Sequence, residues 1–261
     1  MKYGFIGCGN MGGAIARALS KTTNDIMIAD RSGKARALAV ELSCTYADPV
    51  TIAASCDRIF LAVKPQMMAE TLLPLQTPLR ERKPLLITMA AGLDIAKIQE
   101  LAGAELPVIR IMPNTPVQVS KGMTLYCCND LVDQTVLKDF LKDMTLTGRM
   151  DEIPEYLIDS AGVVSGCGPA YMYMFAEALA DGAVACGVPR KKALEYAAAT
   201  LVGAGEMLLQ TGEHPGRLKD NVCSPGGSTI AGLNVLEERA FRGAVIDCVK
   251  AAYTRNQELG K

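Results

Sequence analysis

Six residues near the start of the sequence, Gly7-Cys8-Gly9-Asn10-Met11-Gly12, fit the pattern G-x-G-x-x-G. They follow an apolar run typical of a strand, Tyr3–Ile6, and lead into a helical pattern from Met11 to Ser20. In that context the first glycine allows a tight turn, the second lets the backbone approach a pyrophosphate, and the third lets the helix pack against the strand. The pattern therefore predicts a dinucleotide site, against the alternative of a glycine-rich turn without a ligand. The expected contacts are Gly7, Gly9, Asn10, Met11 and Gly12.

Short β-branched runs alternate with helical patterns through the first half of the chain. This alternation predicts a mostly parallel sheet with helices on both faces. The predicted strands are Tyr3–Ile6, Ile26–Ala29, Arg58–Val63, Leu85–Met89 and Val108–Met112, with Met123–Cys128 and Arg149–Glu152 continuing at the sheet edge.

After about Ile153 the strand signals stop, and the sequence becomes rich in Ala, Gly and Leu. Proline at a first helical position and glycine just past a helix end mark the expected boundaries. The expected helices run from Pro169 to Gly187, from Pro189 to Gln210, and after Ser224 and Arg239. The predicted fold class is α/β: a doubly wound, Rossmann-like domain in residues 1–155, followed by an all-helical domain in residues 156–261.

Composition and charge exclude several classes of protein. Lys and Arg total 27 and Asp and Glu total 28, so the net charge of −1 lacks the positive field that nucleic acids and anionic membranes require. The sequence shows neither an export signal nor an apolar stretch long enough to span a bilayer. The nine cysteines, without a C-x-x-C pair, indicate free thiols, and a single histidine, His214, leaves little for a histidine triad or metal site. We therefore expect a cytoplasmic protein without a metal, a nucleic-acid partner or a membrane partner.

Two charged residues at the end of the second predicted strand bear on the choice of cofactor. An acidic residue such as Asp30 usually bonds a ribose 2′-hydroxyl, whereas a neighbouring arginine such as Arg31 accommodates a 2′-phosphate. We favour NADPH, with NADH as the alternative. Because ligands of an open α/β sheet lie beyond the carboxyl ends of its strands, residues after three other strands are also expected contacts. They are Ala62, Val63, Lys64 and Pro65; Met89, Ala90 and Ala91; and Asn114.

A second glycine-rich turn, Ser224-Pro225-Gly226-Gly227-Ser228-Thr229, precedes an apolar helix from Ile230. Backbone N–H groups at such a helix start can bind a carboxylate or a phosphate. The spacing is equally consistent with an ordinary helix start that Ser228 or Thr229 caps.

Several motifs together resemble those of the pyrroline-5-carboxylate reductase family over the whole chain. They are the Gly7–Gly12 hexapeptide, A-V-K-P-Q at Ala62–Gln66, M-P-N-T-P at Met112–Pro116, S-G-C-G-P-A-Y at Ser165–Tyr171 and, most specific, D-N-V-C-S-P-G-G-S-T at Asp220–Thr229. Two positions depart from the family pattern. Cys167 stands where serine is more common, and Asp30 precedes Arg31 where many members carry a neutral residue.

The resemblance implies reduction of 1-pyrroline-5-carboxylate to L-proline, the last step of proline biosynthesis, by hydride transfer from NAD(P)H to the C=N carbon. Backbone amides of the second turn would hold the substrate carboxylate, and the Thr229 hydroxyl, the expected catalytic group, would lie near the ring nitrogen. The implied substrate contacts are Ser224, Gly226, Gly227, Ser228 and Thr229, and the further cofactor contacts are Glu155 and Asn221.

The resemblance also implies self-association through the helical domain into a dimer, with a ring of dimers as the larger alternative. Three other functions remain open. The chain could reduce another cyclic imine or act as a β-hydroxyacid dehydrogenase, although the usual lysine is absent from Asp151 to Pro189. It could also be a non-catalytic NAD(H)-binding redox sensor, but such a protein would not need the second turn.

Overall fold

The computed structural model describes residues 1–23, 25–31 and 33–259. Strands and helices alternate in its first part, and helices alone follow. The strands are β1 Tyr3–Ile6, β2 Ile26–Ala29, β3 Thr45–Tyr46, β4 Arg58–Leu61, β5 Leu85–Thr88, β6 Val108–Met112, β7 Gly122–Cys128 and β8 Gly148–Glu152. The helices are α1 Asn10–Leu19, α2 Gly33–Glu41, α3 Pro49–Ser55, α4 Met68–Leu72, α5 Gln76–Arg82, α6 Ile95–Ala102, α7 Gln134–Asp143, α8 Glu155–Ala185, α9 Arg190–Thr211, α10 Pro215–Asn221, α11 Ser228–Glu238 and α12 Phe241–Leu259.

The described strands form one sheet in the order β3-β2-β1-β4-β5-β6-β7-β8. Strands β1 to β6 are parallel, β7 pairs antiparallel with β6, and β8 runs parallel to β7. The chain builds outward from β1 in one direction and then returns to build outward from β4 in the other. This is the doubly wound topology that the alternation of strands and helices predicted, and the edge position predicted for β7 and β8 is also confirmed.

Helices bury both faces of the sheet. Strands β1, β2, β4 and β5 are buried at every position, which explains why they appear in the sequence as continuous apolar runs rather than alternating ones. Arg58 is the charged exception within β4. Its side chain is 1% exposed, and its guanidinium pairs with Asp143 at 2.9 Å and donates to the Tyr3 hydroxyl at 2.5 Å, so the buried charge has an acidic partner.

The first long helix corrects the sequence prediction. Pro169 does not open this helix: α8 begins at Glu155 and continues through Pro169 to Ala185. Proline has no N–H, so it cannot donate to the carbonyl of Ser165 four residues earlier. That carbonyl instead accepts a hydrogen bond at 2.9 Å from the side-chain amide of Asn114. The lost helical bond is replaced by a bond from a distant loop, and the helix continues.

The other helical predictions agree more closely with the structure. Pro189 immediately precedes α9, and the left-handed Gly212, with φ of 64°, ends it. Helices α11 and α12 occupy the two regions predicted after Ser224 and Arg239. The short helix α10 was not predicted. The Nδ1 atom of His214 accepts the Gly216 N–H at 3.1 Å and caps α10, which gives the single histidine a structural role.

The chain divides into two compact units. The first contains Met1–Cys167 together with Tyr253–Lys261, and the second contains Gly168–Ala252. The fold class, a Rossmann-like sheet with a helical second part, is confirmed. The predicted domain boundary at residue 155, where α8 begins, stays a prediction.

Candidate functional site

The first unit contains a cavity of about 540 Å³ at the carboxyl ends of β1, β2 and β4. The chain reverses its winding direction at these strands, which is where open α/β sheets bind ligands. Several of the predicted cofactor contacts line this cavity, two from the glycine-rich loop, two from the end of β2 and three from the segment after β4. They are Gly7, Gly9, Asp30, Arg31, Ala62, Val63 and Lys64.

Lys64 meets the cavity as part of a turn. Its side chain is exposed, and its backbone begins the short turn Pro65–Met67, because its carbonyl accepts the Met67 N–H at 2.9 Å. The turn follows β4 closely, so the position of Lys64 at the cavity depends on the end of that strand.

The three glycines of the loop pattern have different structural roles. Gly7 has a φ of 95°, and a Cβ on it would lie 2.6 Å from the Ala62 carbonyl oxygen. A Cβ on Gly12 would lie 2.6 Å from the Gly7 carbonyl oxygen, so both positions require glycine for packing. A Cβ on Gly9, in contrast, would meet no atom within 4 Å. Gly9 therefore keeps the space above the loop open, as an approaching pyrophosphate would need.

Helix α1 begins immediately after this open position. Gly9 is its N-cap and offers no side chain to the N–H groups of the first turn. Those groups and the positive end of the helix dipole can therefore bind an anion. The open loop, the cavity and the helix N-terminus together fit the pyrophosphate of a dinucleotide.

Asp30 connects the end of β2 to the glycine-rich loop. One oxygen of its carboxylate accepts the Cys8 N–H at 2.6 Å, and its backbone carbonyl accepts the Tyr46 hydroxyl at 2.9 Å. Burial, followed by the nearby Asp30 charge, raises the pKa of the Cys8 thiol to about 12. Cys8 is thus neutral at physiological pH, and Asp30 holds the loop in position.

An ion pair lies at the cavity beside Asp30. Arg31 contacts Glu70 of α4 at 2.7 Å, and both side chains line the cavity while remaining about two-thirds exposed, at 67% and 65%. Sequence reasoning did not find Glu70, because no motif marks it. It also missed Tyr46, Met67 and Thr71, which line the same cavity and belong to segments without a recognisable pattern.

Other predicted cofactor contacts do not line this cavity. Asn114 is 8% exposed, and besides its bond to Ser165 it accepts the Met123 N–H at 2.9 Å. Glu155 accepts the Ile95 N–H at 2.8 Å at the start of α6 and contacts the buried Arg110 at 3.5 Å. The remaining predicted contacts outside the lining are Asn10, Met11, Gly12, Pro65, Met89, Ala90, Ala91 and Asn221. Their roles as cofactor contacts stay predictions.

The second glycine-rich turn lies in the second unit and has a defined geometry. Pro225 is followed by Gly226 with φ of 68°, and the Gly227 N–H donates to the Ser224 carbonyl at 3.0 Å. These features define a type II β-turn. The turn itself uses the Gly227 N–H. The predicted substrate contacts of Ser224, Gly226, Gly227, Ser228 and Thr229 stay predictions.

Helix α11 begins at Ser228, directly after this turn. Its N-cap is Gly227, which has no side chain, so neither Ser228 nor Thr229 is the N-cap residue. The capping alternative is therefore wrong for both residues. Among the described residues, the Thr229 hydroxyl has no hydrogen-bond partner, and the side chain is exposed. The N–H groups of Ser228 and Thr229 in the first helical turn, together with this hydroxyl, are available to a small anion that carries an acceptor.

Comparisons with known proteins match both parts of the chain. Residues 155–259 match the family model described as pyrroline-5-carboxylate reductase dimerisation, and residues 2–92 match the model described as NADP oxidoreductase, coenzyme F420-dependent. The pyrroline-5-carboxylate reductase of Escherichia coli K12 is 39% identical, over 100% of this chain and 98% of that protein. The Synechocystis enzyme is 40% identical, over 100% and 99%.

The chain belongs to the pyrroline-5-carboxylate reductase family. Among solved structures, a Plasmodium falciparum pyrroline carboxylate reductase with NADP bound has a TM-score of 0.90 and 33% sequence identity, over 100% of this chain and 98% of that one. The resemblance inferred from the motifs is thus confirmed. The glycine-rich loop and the second turn both carry motifs that resemble those of this family.

The described residues contain no group of three or more His, Cys, Asp or Glu side chains arranged to hold a metal ion. In the same part of the chain, no helix has the length and apolar character needed to cross a membrane.

Proposed function

We propose that this protein reduces 1-pyrroline-5-carboxylate to L-proline, with NADPH as the hydride donor. The observation that carries the proposal is the sequence identity of 39% and 40% to two pyrroline-5-carboxylate reductases over the full chain. The geometry supports it, because one unit offers a dinucleotide crevice and the other offers an anion-binding helix start with an uncommitted hydroxyl.

The crevice of the first unit suits the cofactor. When bound there, a reduced nicotinamide dinucleotide supplies a hydride. The open backbone at Gly9 and the start of α1 would hold the pyrophosphate, and Arg31 would meet a 2′-phosphate. The NADP-bound relative supports NADPH, with NADH as the alternative cofactor.

The start of α11 suits the substrate, a small cyclic imine with one carboxylate. We assign the carboxylate to the N–H groups of Ser228 and Thr229, in the helix turn that follows the Ser224–Gly227 turn. The Thr229 hydroxyl would donate a hydrogen bond to the ring nitrogen. As hydride adds to the carbon of the C=N bond, the nitrogen gains an electron pair and takes a proton, so a donor there stabilises the transition state. A hydroxyl is a weak acid, so solvent or an already protonated imine supplies the proton. The Thr229 hydroxyl positions the ring and polarises its C=N bond.

Self-association belongs to the same proposal. The buried cluster of the second unit consists of Ala180, Ala193 and Ala197, whereas large apolar side chains such as Met174 and Val202 are 74% and 66% exposed. Such a small internal core favours burial of these helices against another copy. The match to the dimerisation model supports a dimer, and a ring of dimers is the larger alternative. We propose the cytoplasm as the site of action.

One assay tests the function and its competitors. Purified protein is mixed with 1-pyrroline-5-carboxylate and either NADPH or NADH, nicotinamide absorbance is followed, and the product is identified as L-proline. We expect oxidation of NADPH with formation of proline in equal amount. Turnover only with a different cyclic imine, turnover only with a β-oxoacid (the compound that a β-hydroxyacid dehydrogenase reduces with NAD(P)H), or binding of NAD(H) without any turnover would each replace the proposal with the corresponding alternative.

A further inference from the structure

The ion pair between Arg31 and Glu70 lies in the part of the proposed cofactor crevice that would receive a 2′-phosphate. Arg31 follows β2 directly after Asp30, where the ribose next to the adenine of a dinucleotide is expected. Glu70 reaches the same place from the first turn of α4, so its carboxylate contacts the group that a 2′-phosphate would contact.

We propose that Glu70 is a specificity-determining residue that weakens binding of 2′-phosphorylated dinucleotides at this crevice. The inference rests on the proposed dinucleotide function. Glu70 competes with a 2′-phosphate for the Arg31 guanidinium, and its negative charge opposes the incoming phosphate. A cofactor without the 2′-phosphate meets neither effect, so Glu70 shifts the protein from strict NADPH selectivity towards use of both cofactors.

The exposure of the pair determines how strong this effect is. Because both side chains are about two-thirds exposed, the ion pair is weak and a phosphate can displace the carboxylate from Arg31. The carboxylate nevertheless stays on α4 at the cavity, close to a phosphate that carries about two negative charges. The repulsion is screened by salt but is not removed at low ionic strength.

Three other charged groups near Arg31 have partners of their own. The Asp30 carboxylate accepts the Cys8 N–H. Asp48 caps α3, and hydrogen bonds from Thr51 lower the pKa of the Asp48 carboxyl group. Arg36 stacks over the Tyr46 ring, with its guanidinium carbon 4.9 Å from the ring centre. Glu70 is the acid whose carboxylate contacts Arg31 directly, so it is the residue to change.

The experiment measures ligand binding and does not depend on catalysis. Binding of adenosine 2′,5′-bisphosphate and of AMP to the full-length protein is followed by calorimetry in wild type and Glu70→Gln. The matched control is Glu41→Gln, which removes the same charge from an exposed ion pair with Arg17, and neither of these residues lines the cavity. NADP⁺ and NAD⁺ are then compared in the same way.

We expect Glu70→Gln to tighten binding of the bisphosphate by about fivefold at low salt and to leave AMP binding within about twofold. The gain should shrink in about 0.5 M salt, and it should also shrink when Arg31 is replaced by Gln. Glu41→Gln should change neither ligand.

Three results would overturn the inference: unchanged or weaker bisphosphate binding in Glu70→Gln, an equal gain for AMP, or an equal gain in Glu41→Gln. Failure of the wild type to bind any of the four nucleotides would overturn both this inference and the proposed cofactor site. The expected shifts in nucleotide binding without reduction of 1-pyrroline-5-carboxylate would support the role of Glu70 and reject the proposed substrate.

Discussion

Asn114 joins two parts of the first unit with one side chain. Its amide nitrogen donates to the Ser165 carbonyl, which Pro169 leaves without a helical donor, and its amide oxygen accepts the Met123 N–H. We predict that Asn114→Ala destabilises the protein through loss of both bonds. We also predict that part of this loss depends on Pro169, since an alanine at that position would restore an N–H to the helix.

The expected magnitude follows from the burial of the site. Asn114 is 8% exposed, and its removal leaves one carbonyl and one N–H without their partners. Each unsatisfied backbone group costs about 1–3 kcal/mol, and water can reach the partly buried edges, so we expect a loss of about 2–4 kcal/mol. In a Pro169→Ala background the Ser165 carbonyl regains a helical donor. The cost of Asn114→Ala should then fall by about 1 kcal/mol.

The assay is urea unfolding of the four proteins of this double-mutant cycle, followed by far-UV circular dichroism at one protein concentration. Asn129→Ala is the matched control. The Asn129 side chain also forms two backbone hydrogen bonds, to Leu106 at 2.8 Å and from Val108 at 3.1 Å, and neither bond replaces one that Pro169 removes. It should cost a comparable amount and show no coupling to Pro169. If Asn114→Ala cost as much in the Pro169→Ala background as in the wild-type background, the explanation of the uninterrupted helix would be refuted.

Three further predictions concern the two sites. Gly9→Ser should leave the urea midpoint unchanged, because a Cβ there meets no atom within 4 Å and serine is a good N-cap. The same substitution should weaken dinucleotide binding at least about tenfold, and an unchanged affinity would reject the pyrophosphate assignment. Thr229→Ala should lower kcat by about one to two orders of magnitude, whereas Thr229→Ser should retain most of the activity. Neither variant should unfold, since the Thr229 hydroxyl does not cap α11. A wild-type kcat in Thr229→Ala would remove the Thr229 hydroxyl from the mechanism. The folded pKa of Cys8 lies above its unfolded value of about 8.5, so its contribution to the free energy of unfolding should be full below that pH and lost as pH rises towards about 12, by up to about 1.4 kcal/mol per pH unit. Cys8→Ala should flatten this decline in urea midpoints measured across the alkaline range, and an identical decline would show that Cys8 does not titrate in this way.

The elements predicted from the sequence are those whose signals are local. The glycine pattern between β1 and α1 identified the dinucleotide fold, because tight turns and close packing restrict Gly7 and Gly12 to glycine. The continuous apolar strands indicated a sheet buried on both faces. The second turn was predicted to be functional from its motif, although its alternative role as a side-chain cap could not be rejected from the sequence.

The elements that were missed depend on partners far away in the chain. Whether Pro169 starts or interrupts a helix depends on whether the Ser165 carbonyl finds another donor, and that donor lies 51 residues earlier at Asn114. The pairing of Arg31 with Glu70 likewise joins residues 39 positions apart. No local pattern encodes either contact.

The amino-acid sequence by itself determined the class of fold, the place of the glycine-rich loop and the family, because each depends on short runs of residues with strict steric or chemical requirements. Only the tertiary structure decided which N–H groups are free at the second turn, why α8 passes through a proline, and which acid contacts Arg31. Hydrogen bonds and ion pairs are short-range interactions, and their partners are known only when distant segments have been brought together.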